Sequence, residues 1–196
     1  LTDDRYTLTY VVIDSAGNQS SESTAINVFI DATAPLTPNA PDLMTAFDSG
    51  TSTSDNLTNI ADINFTVSGL DATGEDSVYV VNTAGAVVGS DLSGNTSKNV
   101  TVLSAATSTY AAYAKDPAGN VSLTSGALSV TVDQTATVVT GVAVDLHSDS
   151  DTGVADDDNI TNDDTPTLTI TGLTTTDSVW LYVDGVIDQR DIATSG

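Results

Sequence analysis

The residues of this chain whose types and spacing could do chemistry are carboxylates and amides, and they fall into three constellations. The first is Asp-x-x-Gly-Asn, present as Asp14 to Asn18 and again as Asp116 to Asn120. The second is a single acid closing an apolar run: Asp31 after Val28-Phe29-Ile30, and Asp133 after Val130-Thr131-Val132. The third is a long acidic stretch. It holds Asp48, Asp55, Asn56 and Asp62 in one place, and Asp149, Asp151, Asp156, Asp157, Asp158, Asn159, Asp163 and Asp164 in another.

Mixed carboxylate, amide and backbone oxygens are what Ca²⁺ takes, in sets of six to eight, whereas Mg²⁺ tends to keep its waters. Zinc is poorly served, with no Cys and His147 as the lone imidazole. The acidic stretch is not an EF-hand loop, because Gly153 comes too early and a closing Glu is missing. Each constellation also has a plain structural reading. Asp-x-x-Gly-Asn suits a turn in which Asp accepts backbone N–H bonds and Gly takes positive φ. An Asp ending a strand is ordinary, and an acidic loop can simply be solvated. The metal reading places the linker acid in the connector between two rigid bodies, and it relieves a carboxylate density that no Lys or Arg nearby offsets.

Composition narrows the function classes. Asp plus Glu number 27 against 4 Lys plus Arg, a formal net charge of −23. Nucleic acid, whose binding rests on cationic side chains at phosphates, is excluded as a partner on this basis, and anionic membrane surfaces are disfavoured. No long apolar span is present, so membrane insertion is not expected in this segment. The acidity itself suits either solubility or cation binding. Without Cys there are no disulfides, and stability must come from packing, with bound metal the other source open to it. Leu1 opens directly in a polar, strand-like run, so no signal peptide is read there. An enzyme is not expected, since no nucleophile–base pair is evident and only one His is present.

The elements that must position these groups emerge from an internal repeat. Asp14 and Asp116, Gly17 and Gly119, Asn18 and Asn120, and Asp31 and Asp133 are each 102 residues apart. Asp48, Asp55 and Asn56 return as Asp151, Asp158 and Asn159 at an offset of 103, and Asp76-Ser-Val-Tyr79 returns as Asp177-Ser-Val-Trp180 at 101. The period of about 102 sorts the chain into residues 1–33, the closing part of one repeat; 34–135, a complete repeat; and 136–196, the opening of a further one. The chain is therefore expected to be cut from a longer array. A less favoured alternative has its two ends complementing each other across molecules.

Short alternating runs between turn signals predict an all-β, Ig-like sandwich for each repeat of about 102 residues. Within 34–135 the predicted strands are 40–45 (A), 61–68 (B), 76–82 (C), 86–89 (C′), 98–103 (E), 108–115 (F) and 126–133 (G). Trp180, aligned with Tyr79, is expected to pack in a core. Ig topology puts the A–B loop and the end of strand G at the exit end of a domain and the F–G turn at its entry end. The junction between the first two repeats would then gather Asp31, Asp116 and Asn120. The following junction would gather Asp48, Asp55, Asn56 and Asp133.

Three segments together resemble bacterial Ig-like (BIg) repeats, of the kind that build giant Bap-like and RTX-type surface adhesins. They are Asp-x-Ala-Gly-Asn-x-Ser before strand G, Val-Thr-Val-Asp-x-Thr-Ala at the linker, and Asp158-Asn-Ile-Thr-Asn-Asp-Asp-Thr-Pro-Thr-Leu168 entering strand B. The resemblance covers the whole chain. It implies an extracellular location on a bacterial cell surface, type I secretion, and Ca²⁺ between repeats. The implied role is that of a stalk in adhesion or biofilm formation. Its partners would be neighbouring repeats of the same chain, with a host or abiotic surface reached through other domains. By matching position the implied ligands are Asp31, Asp116, Asn120 and Asp133, with Asp14, Asn18 and the A–B residues Asp48, Asp55, Asn56, Asp151, Asp158 and Asn159 beside them. Thr137 stands where the other linker has Pro35, and Ile60-Ala-Asp62 where the other copy has Asp163-Asp-Thr-Pro166, so junctions are expected to differ. A structural subunit of a surface filament or layer, and a glycan-binding Ig-like module, are the alternative functions.

Overall fold

The computed structural model describes residues 1–71, 76–93, 95–136, 143–155, 157–173 and 178–192, the last five as backbone only, and every regular element among them is a strand. Thr137, Asp156 and Asp177 lie outside the described residues. The chain divides into two units, Leu1–Thr135 and Ala136–Gly196.

The first unit opens with β1 (Asp4–Leu8) and β2 (Ile26–Ile30), antiparallel from Asp4 opposite Ile30 to Leu8 opposite Ile26. Two sheets follow. One orders β3 (Asp42–Leu43), β5 (Ile63–Val67) and β8 (Lys98–Val102). The other orders β4 (Leu57–Thr58), β10 (Leu128–Val132), β9 (Ser108–Lys115), β6 (Ser77–Asn82) and β7 (Val87–Asp91).

Period-two patterning explains why these segments are strands and which face each buries. Ile63, Phe65 and Val67 turn inward from β5, Val78 and Val80 from β6, and Tyr110, Ala112 and Ala114 from β9. Burying each such aliphatic side chain contributes about 1.5–3 kcal/mol before entropy is counted. Phe65 and Tyr110 meet at 5.0 Å between ring centroids, tilted by 44°. The Tyr110 hydroxyl donates to the Ala106 carbonyl at 2.6 Å, the tyrosine-corner device of Ig sandwiches. The all-β, Ig-like expectation holds.

Two local expectations fail. The segment between A and B is interrupted by β4, which pairs parallel with β10 (Leu57 opposite Thr131, Thr58 opposite Val132). The acidic stretch is thus an A–A′ loop. A two-residue strand carries no alternation from which to predict it. Trp180 is 45% exposed rather than packed in a core. Its counterpart Tyr79 lies between inward-facing Val78 and Val80, so the pleat turns it outward, where it stacks on Tyr113 at 5.1 Å.

Register fixes the two ends of residues 34–135. Val67 lies opposite Lys98, and Ser77 opposite Lys115, at the end where the chain arrives from residue 33. Ile63 opposite Val102 and Ser108 opposite Val130 mark the exit end. In the second unit, β11 (Ala143–Leu146) pairs with β12 (Leu168–Thr171), and β13 (Ser178–Val183) with β14 (Val186–Ile192). Leu146 faces Leu168 as Leu43 faces Phe65, so the A–B pairing repeats at an offset of 103.

Candidate functional site

Both Asp-x-x-Gly-Asn segments are closed turns. In the first, Asp14 Oδ1 accepts from the N–H groups of Ala16 at 2.9 Å and Asn18 at 2.8 Å, while Oδ2 accepts from the Asn18 side-chain amide at 2.8 Å. In the second, Asp116 Oδ1 accepts from Gly119 N–H at 2.7 Å and Asn120 N–H at 2.8 Å, and Oδ2 from the Asn120 amide at 2.8 Å. Gly17 and Gly119 carry the positive φ, 90° and 100°, that such a turn needs. The Asn18 amide, with backbone N–H groups, holds the Asp14 carboxyl below its ordinary range. For Asp116, desolvation pushes upward, but the Asn120 amide and the turn N–H groups prevail and lower it.

The second turn reaches further than the first. Asn120 Nδ2 also donates to the Asp31 backbone carbonyl at 3.1 Å, across 89 residues of sequence. The structure therefore brings Asp31, Asp116 and Asn120 together at the entry end. The Asp31 and Asp133 carboxylates accept from the N–H groups two residues on, Thr33 at 3.0 Å and Thr135 at 2.9 Å.

The entry end also holds residues that the sequence reading did not single out. Asp76 is 2% exposed, and its Oδ2 is buried with no hydrogen-bond partner among the described residues. Burial raises its carboxyl above the ordinary range, the neighbouring charges of Asp71 and Asp116 add to the rise, and Lys98 opposes it. Lys98, at the head of β8, is 0% exposed. Desolvation works to raise Asp91 as well, but hydrogen bonds from Ser93 and Asn99, with Lys98, bring it below the ordinary range. The signal in the sequence is the return of Asp76 as Asp177 at an offset of 101.

At the exit end the A–A′ loop has one hydrogen-bond plan in both copies. Asp48 Oδ2 accepts from Asn56 N–H at 3.1 Å, and Asp151 Oδ2 from Asn159 N–H at 3.1 Å. Asp55 Oδ1 accepts from Leu57 N–H, and Asp158 Oδ1 from Ile160 N–H, again both at 3.1 Å. Ser49 joins Thr58 and Asn59 as Thr152 joins Thr161 and Asn162. Asn56 and Asn159 adopt left-handed φ of 60° and 59°, which asparagine tolerates better than most residues. The loop then runs into β4, where Thr131 N–H donates to the Asn56 carbonyl at 2.9 Å and Asp133 N–H to the Thr58 carbonyl at 2.8 Å. Asp133 thus stands beside this loop, not beside Asp116. In the second unit, Asp163 is held below the ordinary carboxyl range by Thr165 N–H first, then by the Ser150 hydroxyl.

Among the described residues no three Asp, Glu or His side chains converge to hold a metal ion by themselves. A cation at either end must draw on backbone carbonyls, amides, hydroxyls or water as well, which is ordinary for Ca²⁺. The oxygen donors present fit such an ion. Asp76 supplies an orphaned buried oxygen at the entry end, and Asp48 and Asp151 supply one in each loop.

The bacterial Ig-like domain model matches residues 34–134 and again 137–195. No curated protein matches the chain. Among solved structures, a "Biofilm associated protein - BSP domain" is similar at a TM-score of 0.33 and 19% identity, over 69% of this chain. The chain spans 20% of the length of that relative. Because the family model covers both the complete sandwich and the repeated opening strands that follow it, the chain belongs to the bacterial Ig-like domain family.

Proposed function

We propose that the chain is part of the extender region of a large bacterial cell-surface adhesin, in which Ca²⁺ bound at the junctions between repeats stiffens the array. The repeats serve as spacers, and recognition of a host or abiotic surface lies elsewhere in the protein. The observation that carries this reading is the Asn120 amide, which bonds the turn carboxylate of Asp116 and the linker carbonyl of Asp31 at once. An ion there would bridge two repeats through residues 31, 116 and 120, with the buried Asp76 carboxylate behind them. Family membership and repetition support the spacer role. The net charge of −23 supports the need for cations.

Thermal unfolding and small-angle scattering of this chain, in chelator and in millimolar Ca²⁺, test the proposal. An ion held at about ten times its Kd stabilises by about 1.4 kcal/mol, which is several degrees for a domain of this size. Equal melting temperature and equal length in the two buffers would remove calcium from the account. An exposed aromatic pair on β13, Trp180 and Tyr182, favours the glycan-binding module as a second reading. Binding of this chain to a glycan array would support that reading over the spacer.

A further inference from the structure

We propose that Asp3 latches the linker at residues 31–33 to the repeat it leaves, so that this joint keeps its setting without a bound ion. The inference goes beyond the calcium reading above and stands or falls separately from it.

The β1–β2 ladder ends with Asp4 opposite Ile30. Beyond that pair a side chain takes over from the backbone. Asp3 Oδ1 accepts from the Ala32 N–H at 3.0 Å, and Asp3 Oδ2 accepts from the Thr33 hydroxyl. The Thr33 N–H donates to Asp31 Oδ1 at 3.0 Å, and the Asp31 carbonyl accepts from the Asn120 amide at 3.1 Å. The linker is thus gripped from two sides, by a carboxylate of the repeat it leaves and by an amide of the repeat it enters. Hydrogen bonds to an ionised acceptor are about twice as strong as neutral ones. With one oxygen on each of two successive residues, the Asp3 carboxylate fixes the direction of the chain as well as its distance. Pro35 carries the constraint onward, because its ring sets its own φ and keeps Ala34 extended.

The matching linker one repeat later is held less far along. The position 102 residues after Asp3 is Ala105, whose methyl group belongs to the core. Side-chain support there comes from Thr107 and stops sooner. Its Oγ1 accepts from the Val132 N–H at 2.9 Å, and its hydroxyl donates to the Val132 carbonyl at 3.1 Å. The Asp133 N–H then reaches the Thr58 carbonyl at 2.8 Å. Thr135 N–H donates to Asp133 Oδ1 at 2.9 Å, as Thr33 does to Asp31. The difference between the two linkers therefore lies in the acceptor that Asp3 offers to Ala32 and Thr33. Ala105 has no side-chain oxygen to offer Gln134 and Thr135, their counterparts. Consecutive linkers of one chain should then respond differently when ions are withdrawn.

Amide hydrogen exchange of the chelator-stripped chain, followed by NMR and corrected for intrinsic rates, tests this on matched positions within one molecule. The Ala32 N–H should exchange about tenfold more slowly than the Gln134 N–H, since a hydrogen bond to a charged acceptor is worth that factor or more. Thr33 and Thr135, each bonded by its own linker acid, should exchange alike. Asp3→Ala should bring the Ala32 rate up to that of Gln134 and lower the heteronuclear NOE of Ala32 and Thr33. The strand amides of β1 and β2 should stay protected in that variant, which separates loss of the latch from loss of the hairpin. Ala32 and Gln134 exchanging equally fast in the unaltered chain would overturn the inference, whatever the variant does. So would an Asp3→Ala effect that appears only with Ca²⁺ present, because Asp3 would then be acting through an ion. Failure of the calcium reading shows elsewhere, as equal melting temperature and length in the two buffers, and leaves the difference between Ala32 and Gln134 intact.

Discussion

Asp76 and Asp116 share the entry end, yet their carboxyls are displaced in opposite directions, and each displacement has a pH dependence of definite sign. The raised carboxyl of Asp76 favours the folded state fully below the ordinary aspartate value, and that contribution is lost as pH rises through its folded pKa. The lowered carboxyl of Asp116 favours folding above the ordinary value, and its contribution is lost as pH falls through its own folded pKa. Without divalent cations, Asp76→Asn should therefore stabilise the protein at about pH 7 relative to the parent, and that difference should shrink by about pH 4, close to the ordinary aspartate value. Urea denaturation in chelator at the two pH values measures it. A variant that loses stability at neutral pH would show that the charge of Asp76 is already compensated by Lys98. The turn chemistry of Asp116 was legible from five consecutive residues, because Asx turns are local. The burial of Asp76 was not, since Lys98 approaches from β8 in the opposite sheet and no local spacing encodes that approach.

At the level of single elements, legibility followed length. Residues 108–115 match β9 at both ends, and the predicted B, C, E and G strands contain or closely bracket β5, β6, β8 and β10. Alternation over five or more residues specifies both the strand and its inner face. A two-residue strand such as β4 is instead specified by its partner, β10, some seventy residues away. The loop leading to it depends on the left-handed Asn56, and here the repeat gave notice through Asn159. Asn56→Val should cost about 1–2 kcal/mol in chemical denaturation, because a β-branched residue resists that conformation, whereas Asn56→Gly should be close to neutral. Gly89 in β7 is a second structural pivot. A β-carbon there would lie 2.5 Å from the Thr101 carbonyl oxygen and 2.7 Å from Val100 Cγ1, both on β8. Glycine is what lets β7, at the edge of one sheet, approach β8 of the other. Gly89→Ala should destabilise by about 1–3 kcal/mol, the usual cost of overpacking, measurable by the same denaturation.

For the whole molecule, 27 acids against 4 Lys plus Arg leave self-repulsion that any electrolyte will relieve in part. Screening and site binding differ in dose. At 0.1 M ionic strength the screening length is about 10 Å, so NaCl should raise the melting temperature gradually. Ca²⁺ at a few millimolar should raise it more than NaCl of equal ionic strength, and equal effects would mean screening alone. The repeat period, the fold class and the acidic stretches were all visible at this scale, because self-similarity needs no structure to be seen. The parallel pairing of β4 with β10 has a mechanical meaning. A pull on residues 34–135 through their two ends drags β4 toward the entry end and β10 toward the exit end. The bonds Thr131 N–H to Asn56 O and Asp133 N–H to Thr58 O run across that direction, so they are loaded together in shear rather than peeled apart one after another. Tension on such a chain is resisted first at two residues that have no alternation to announce them.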